Sequence, residues 1–127
     1  MGAKLAAPNK QVINVMGDMA FSTVGLDIET AVRCDIPILT IVLNNSYMSI
    51  YDNSRFPVAL EKYDIKRLSG QFSEVAQAMG PHSEKITDPQ EIVPALKRGL
   101  AAVEGGKATV LEFITCDEGD YSKFSFR

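Results

Sequence analysis

Residues 12–51 of the chain read VINVMGDMAFSTVGLDIETAVRCDIPILTIVLNNSYMSIY, and this stretch decides the fold. Its pattern predicts a strand over Gln11–Met16, a helix from about Ala20 to Arg33 and a second strand over Ile38–Leu43. Both strands are apolar on both faces, which is typical of the interior of a parallel sheet that helices cover. A strand, a crossover helix and a second strand in this order form a βαβ unit.

The rest of the chain continues this alternation of strands and helices. We expect a helix over about Phe72–Met79, a short strand over His82–Ile86 and a strand over Ala108–Ile114. The whole pattern predicts an α/β fold: a three-layer, doubly wound open sheet, mostly parallel and flavodoxin-like.

Structure can also be predicted for two further segments, one that starts at Asp88 and one that covers Ser46–Gly70. Asp88 is expected to cap a helix, with Glu91 placed to close a capping box. The apolar stripe Ile92, Leu96, Leu100 and Val103 is predicted to continue that helix to Gly105-Gly106. The segment Ser46–Gly70, rich in polar and aromatic residues, is predicted to be a long loop.

Composition excludes several classes of function. Hydrophobic residues make up 46% and charged residues 23%, the balance of one globular domain over residues 1–127. The net charge of -3 gives no electrostatic reason to expect nucleic acid or an anionic membrane surface as a partner. No apolar run approaches the roughly 18 residues of a membrane span. The two cysteines show no CxxC spacing, so the expected compartment is the reducing cytoplasm.

The beginning of the chain has the pattern of a helix end. Gly2–Pro8 reads as the last turns of an amphipathic helix whose start is absent. We therefore expect a fragment of a longer polypeptide, with the sheet truncated at its N-terminal side. Apolar surface at a truncated edge favours self-association.

Polar side chains follow the first two predicted strands. Asp18 comes just after the first strand, and Asn44-Asn45 ends the second. Ligands of open α/β sheets bind beyond the carboxyl ends of the strands, and carboxylate and amide oxygens are ligands that suit Mg²⁺. An aspartate before a helix is also an ordinary N-cap, and Asn-Asn-Ser is an ordinary turn. The residues alone leave both interpretations open.

A family resemblance bears on this choice. Gly17-Asp18 is followed by Asn44-Asn45, with LDIETAVR at residues 26–33 and Ile36-Pro37 between them. This arrangement closely resembles the thiamine-diphosphate motif of the acetohydroxyacid synthase and 2-oxo acid decarboxylase superfamily. The likeness extends from Gly2 through the last strand. It implies thiamine diphosphate and Mg²⁺ as cofactors and a 2-oxo acid as the substrate of a full-length decarboxylase or carboligase.

The resemblance also implies roles for individual residues. Mg²⁺ would be held by the Asp18 carboxylate, the side-chain oxygen of Asn45 and the backbone carbonyl of Tyr47. Backbone groups that would approach the diphosphate belong to Gly17, Met19 and Ala20. Ile50 falls where family members place a residue near the thiazolium or the substrate.

The sequence departs from the family pattern at two points. Met19 stands where the family usually has glycine, so the turn at the diphosphate must accommodate a side chain. Ser46–Tyr51 lacks the glycine found there in many acetohydroxyacid synthases, and this leaves the particular activity open.

The resemblance places the remaining chemistry outside this chain. In the family, the glutamate that activates the aminopyrimidine ring lies in a separate N-terminal, pyrimidine-binding domain, usually of a partner subunit in a homo-oligomer. We therefore assign no catalytic residue here. The isolated chain is expected to bind thiamine diphosphate weakly and to be inactive.

Two alternatives remain. One is a related enzyme of the same superfamily, such as a 2-hydroxyacyl-CoA lyase or an oxalyl-CoA decarboxylase. The other is a non-catalytic flavodoxin-like module, for example a receiver domain with Asp18 as phosphoacceptor. That reading calls for further acidic residues beside the first strand, and Asn9-Lys10-Gln11 supplies none. Dinucleotide binding is excluded because no GxGxxG follows the first strand.

Overall fold

The computed structural model describes residues 1–48 and 55–117, and the described strands form one parallel sheet. The strands are β1 (Ile13–Gly17), β2 (Leu39–Asn44), β3 (His82–Ile86) and β4 (Thr109–Ile114), in the order β1-β2-β4-β3. The predicted α/β class and parallel open sheet are confirmed.

Helices connect and cover these strands. They are α1 (Gly2–Ala6), α2 (Asp18–Val24), α3 (Ile28–Arg33), α4 (Pro57–Tyr63), α5 (Phe72–Ala78) and α6 (Ile92–Glu104). Short 3₁₀ turns precede α3 at Gly25–Asp27 and α6 at Pro89–Glu91. Within the described residues, none of the helices has the length and apolar character needed to cross a membrane.

The sheet has a separate core on each face, which confirms the three layers. On one face α2, α3 and α5 pack on the sheet, and Phe21 meets Phe72 edge to face with ring centroids 5.9 Å apart. On the other face α6 contributes Ala95 and Val103, which pack with Leu111 of β4 and with its neighbours. The second core is the smaller one because a single helix covers that face of the described sheet.

The expectation that β1 lies in the sheet interior is wrong for the described chain. β1 is an edge strand, and Ile13 and Val15 are 50% and 59% exposed. Side chains alternate along a strand, so these two residues face the α6 side while Val12 and Met16 pack on the opposite core. α6 packs on β2, β3 and β4, one strand too far away to cover Ile13 and Val15. For β2 and β4 the prediction holds, since both are central and largely buried.

The helix predicted from Ala20 to Arg33 is interrupted. A 3₁₀ turn at Gly25–Asp27 divides it, and a Cβ on Gly25 would lie 2.6 Å from the ring of Phe21. The 3₁₀ turn rotates each residue further about the axis than an α-helix does, which shifts the buried face. Val24 is 49% exposed, whereas Phe21 is in the core.

Two other assignments need correction. α4 lies inside Ser46–Gly70, the segment predicted to be a loop. The helix begins at Pro57, and none of its residues is buried, so it shows no apolar stripe.

Asp88 caps its helix as expected, because its Oδ1 accepts the N–H of Gln90 at 2.9 Å. Glu91 does not close a capping box, because its carboxylate accepts from Arg98 at 3.2 Å.

An ion pair between β3 and α6 gives a pH-dependent contribution to stability. Both carboxylate oxygens of Glu84 accept from Arg98, with the shortest N–O distance 2.7 Å, and the imidazole of His82 lies 2.8 Å from the same carboxylate. The Arg98 hydrogen bonds lower the pKa of Glu84 below its ordinary value of 4.5. A lowered pKa in the folded state means stability that is present above pH 4.5 and lost as the pH falls through the folded-state pKa.

We predict that Glu84→Gln lowers the free energy of unfolding near neutral pH by less than about 1 kcal/mol, because Arg98 is half exposed. Below about pH 4.5 the difference from the parent chain should shrink, since the parent carboxylate becomes protonated. Urea unfolding at several pH values measures this, with the exposed Glu61→Gln as control. An equal difference at acid and neutral pH would contradict the prediction.

Candidate functional site

The carboxyl ends of β1 and β2 meet at one edge of the sheet. Gly17 pairs with Leu43 in the parallel register, so Asp18 lies level with Asn44 and one position before Asn45. This juxtaposition is the one that the sequence predicted. It follows from the parallel pairing, because carboxyl ends of parallel strands share an edge.

Asp18 joins the two strand ends directly. Its side chain is buried, with the residue 4% exposed, and its Oδ2 accepts the backbone N–H of Ser46 at 2.8 Å. Its Oδ1 accepts the N–H of Met19 at 2.7 Å. Gly17, and not Asp18, occupies the N-cap position of α2. The N-cap interpretation of Asp18 is therefore wrong, because this carboxylate bridges to the neighbouring loop.

The loop after β2 is built from two consecutive side-chain turns. Oδ1 of Asn44 accepts from the N–H and the hydroxyl of Ser46 at 3.0 and 3.1 Å. Oδ1 of Asn45 accepts the N–H of Tyr47 at 3.0 Å. Ser46 has a φ of 59°, in the left-handed region that residues other than glycine seldom adopt. The Asn-Asn-Ser turn expected from composition is present, and it faces Asp18.

Tyr47 holds the loop against the segment that follows α4. Tyr47 and Arg67 form an isolated antiparallel bridge, and the N–H of Met48 donates to the carbonyl of Lys66 at 2.7 Å. The Tyr47 ring lies 5.7 Å from Nζ of Lys66 and 5.6 Å from Cζ of Arg67, within the range of cation–π contacts. The backbone of Tyr47 is thus fixed on both sides of its carbonyl.

The oxygen atoms assembled here suit a hard divalent cation. Each carboxylate oxygen of Asp18 receives a single backbone N–H, which leaves acceptor capacity on both atoms. The contact with Ser46 places Asp18 beside the residue that follows Asn45. Among residues 1–48 and 55–117 no group of three His, Cys, Asp or Glu side chains could hold a metal. A site with one carboxylate, one amide and one carbonyl matches the donor chemistry of Mg²⁺ and needs no such group.

The residues flanking Asp18 are open to solvent. Met19 is 44% exposed, Ala20 is exposed, and a Cβ on Gly17 would meet no atom within 4 Å. These three residues are therefore exposed at this edge of the sheet. Ile50 lies outside the described residues, and its predicted position near the thiazolium or substrate stays a prediction.

The sequence analysis missed a buried carboxylate beneath the site. Glu112 in β4 is fully buried, and its Oε1 accepts from Nδ2 of Asn44 at 2.7 Å. Its Oε2 accepts from the N–H and the hydroxyl of Ser73 at 2.8 and 2.7 Å. The available signal was a glutamate inside the otherwise apolar strand TVLEFI, at an alternation position that faces α5.

Comparison with known proteins identifies the family. The family described as "Thiamine pyrophosphate enzyme, C-terminal TPP binding domain" matches residues 1–113. The chain belongs to this family. It is a C-terminal thiamine pyrophosphate-binding domain, similar to the corresponding part of acetolactate synthases.

Individual relatives support this placement. Acetolactate synthase large subunit IlvG of Mycobacterium tuberculosis is 34% identical over 106 residues, which cover 80% of this chain and 19% of the relative. Sulfoacetaldehyde acetyltransferase of Alcaligenes xylosoxydans xylosoxydans is 29% identical over 120 residues, covering 93% and 20%. The chain therefore spans about a fifth of the length of these relatives.

A solved structure matches the fold. The crystal structure of benzoylformate decarboxylase from Polynucleobacter necessarius superposes with a TM-score of 0.68 at 21% sequence identity. The superposition covers 92% of this chain and 22% of that chain. At this identity the match concerns the fold alone.

Proposed function

We propose that this chain is the diphosphate- and Mg²⁺-binding domain of a longer thiamine-diphosphate-dependent decarboxylase or carboligase that acts on a 2-oxo acid and resembles acetolactate synthase. Asp18, the side chain of Asn45 and the carbonyl of Tyr47 would be the protein ligands of the ion. The observation that carries the proposal is the 2.8 Å hydrogen bond from Ser46 N to Asp18 Oδ2. It holds the carboxylate against the loop that carries both other ligands.

The charge of the site suits a diphosphate. Asp18 is the single anionic ligand in the proposed set, so a bound Mg²⁺ keeps net positive charge toward an anion. The exposed residues Gly17, Met19 and Ala20 flank the carboxylate, and their backbones would approach the diphosphate. These groups bind and orient, and none of them is assigned to proton transfer.

The rest of the proposed enzyme lies outside this chain. When bound, thiamine diphosphate supplies the reactive carbon and the electron sink for decarboxylation of a 2-oxo acid. We assign the activating glutamate to an N-terminal pyrimidine-binding domain of the same or a partner subunit, in a homo-oligomer in the cytoplasm. The length of the relatives, about five times that of this chain, supports the presence of further domains in the full protein.

The alternatives have less support. A receiver domain would need further acidic residues beside the first strand, and Asn9, Lys10 and Gln11 supply none. A 2-hydroxyacyl-CoA lyase or an oxalyl-CoA decarboxylase would use the same ion site, so the residues described here do not separate these activities from carboligation. A substrate screen on the full-length protein separates them.

We predict that the 127-residue chain binds thiamine diphosphate in a Mg²⁺-dependent manner and that Asp18→Ala weakens this binding at least about tenfold, or about 1.4 kcal/mol. The reason is the loss of the one anionic ligand. Titration calorimetry with and without Mg²⁺ measures the effect. Asp27→Ala, an exposed aspartate in the next turn of the chain, is the control and should bind as the parent does. Binding without Mg²⁺ dependence, or acetyl-phosphate labelling of Asp18, would contradict the proposal.

Met19→Gly is expected to strengthen thiamine diphosphate binding a few-fold, because the backbone there gains a closer approach to the diphosphate. The same change should cost up to about 1 kcal/mol of stability, since glycine disfavours the helix. Thr23→Gly in α2 carries the backbone cost without the gain and serves as the control. Calorimetry measures the thiamine diphosphate affinity of both variants, and thermal unfolding measures their stability. Equal thiamine diphosphate affinity in Met19→Gly and Thr23→Gly would contradict the proposed approach of the residue 19 backbone to the diphosphate.

The isolated chain is predicted to release no detectable CO₂ from pyruvate in the presence of thiamine diphosphate and Mg²⁺. The reason is that we assign the glutamate that activates the aminopyrimidine ring to a separate N-terminal domain. A coupled assay at high protein concentration tests this. Cofactor-dependent CO₂ release by the purified chain would refute the assignment of the activating glutamate to a separate domain.

A further inference from the structure

We propose that Glu112 is a positioning residue that sets the orientation of the Asn44 side-chain amide and, through it, the shape of the loop carrying Asn45 and Tyr47. The link from this loop to a bound ion rests on the proposed function. The contacts that carry the inference do not, since they are present in the chain itself.

The carboxylate of Glu112 has a complete set of partners. Alternation along β4 places it on the α5 side of the sheet, between strand β2 and the start of α5. Asn44 donates to one of its oxygens, and the N–H and hydroxyl of Ser73 donate to the other. Ser73 is fixed in turn, because its carbonyl accepts from the Ser83 hydroxyl at 2.8 Å. Burial of a carboxylate is costly unless it is hydrogen-bonded, and these donors offset the cost.

The chemistry of the contact selects one orientation of the Asn44 amide. The oxygen and nitrogen ends of an amide have nearly the same shape, so packing alone does not distinguish them. Both oxygens of the Glu112 carboxylate act as acceptors, one from Asn44 and the other from Ser73. Glu112 therefore draws the NH₂ end of Asn44 toward itself and leaves Oδ1 pointing at Ser46. If the amide were flipped, Oδ1 of Asn44 would face the Glu112 carboxylate, and the NH₂ group of Asn44 would face the N–H of Ser46.

The orientation of this amide determines the loop. Oδ1 of Asn44 accepts both the N–H and the hydroxyl of Ser46, whose backbone is in the left-handed region. The same N–H also donates to Oδ2 of Asp18. A continuous series of hydrogen bonds thus runs from Glu112 through Asn44 and Ser46 to Asp18. A wrongly oriented Asn44 would remove an acceptor from Ser46 and release the turn that precedes Tyr47.

The donor and acceptor roles of Asn44 and Glu112 should therefore be exchangeable, with an amide at position 112 and a carboxylate at position 44. Glu112→Gln alone puts an NH₂ group against either Asn44 or the Ser73 N–H, so one donor loses its acceptor. Asn44→Asp alone sets two carboxylates against each other. In the double variant Glu112→Gln/Asn44→Asp, the introduced amide donates to the introduced carboxylate and its oxygen accepts from Ser73. The second oxygen of the introduced carboxylate accepts from Ser46, and the total charge equals that of the parent pair, Glu112 and Asn44.

The test is amide hydrogen exchange of Ser46, measured by NMR on the chain without metal or cofactor. We expect exchange at Ser46 to accelerate about tenfold or more in each single variant, beyond any change at Val42 in the middle of β2. The double variant should return Ser46 to within a few-fold of the parent. Val110→Ala, a buried apolar change on the same strand and face, is the control and should move Ser46 and Val42 together.

Two results would overturn the inference: unchanged Ser46 exchange in Glu112→Gln, or a double variant with exchange as fast as that of the faster single variant. If a single variant does not fold, the double variant carries the test, because recovery of the folded chain supports the inference and failure to recover overturns it. Calorimetry with thiamine diphosphate and Mg²⁺ on the parent chain is independent of this outcome. Absence of that binding would count against the proposed function and leave the Ser46 result intact.

Discussion

The backbone N–H of Ser46 donates to two acceptors at once, Oδ2 of Asp18 and Oδ1 of Asn44. This shared hydrogen bond joins the end of β1 to the end of β2 and gives the site its shape. It exists because the parallel register brings Gly17 level with Leu43, so that the next residues of both strands converge. With the bond in place, a buried carboxylate faces a loop rich in oxygen acceptors, and oxygen atoms of these types suit a hard divalent cation.

A layer of polar side chains supports this edge within an otherwise apolar core. Asn44, Ser73 and Glu112 are buried and hydrogen-bonded to one another. Within residues 1–48 and 55–117, no buried side-chain nitrogen or oxygen lacks a hydrogen-bond partner. Fully satisfied polar networks of this kind restrict a core to one arrangement, whereas apolar packing tolerates several. The network therefore gives the site a rigid base that Leu and Val side chains would not provide.

The sequence predicted the layers and the meeting of Asp18 with the Asn44-Asn45 loop, because both follow from local periodicity and parallel pairing. It did not predict that β1 is an edge strand, because the apolar composition of a strand does not show which elements pack beside it. The break at Gly25 and the burial of Phe21 depend on one ring packing on one glycine. Glu112 was missed because its partner Asn44 is 68 residues away in the chain. The ligand roles of Asp18, Asn45 and Tyr47 remain proposals that the geometry supports.

The exposed side of β1 has a practical consequence for anyone who handles this chain. Ile13 and Val15 are β-branched and at least half exposed, and they lie on a short edge strand, whose outer backbone groups are where a strand of another molecule can pair. We therefore expect concentrated samples to self-associate along β1, which pairs with β2 alone in the described sheet. A charged substitution at Val15 would act as a gatekeeper against such growth while leaving the inward-facing Met16 and its packing untouched.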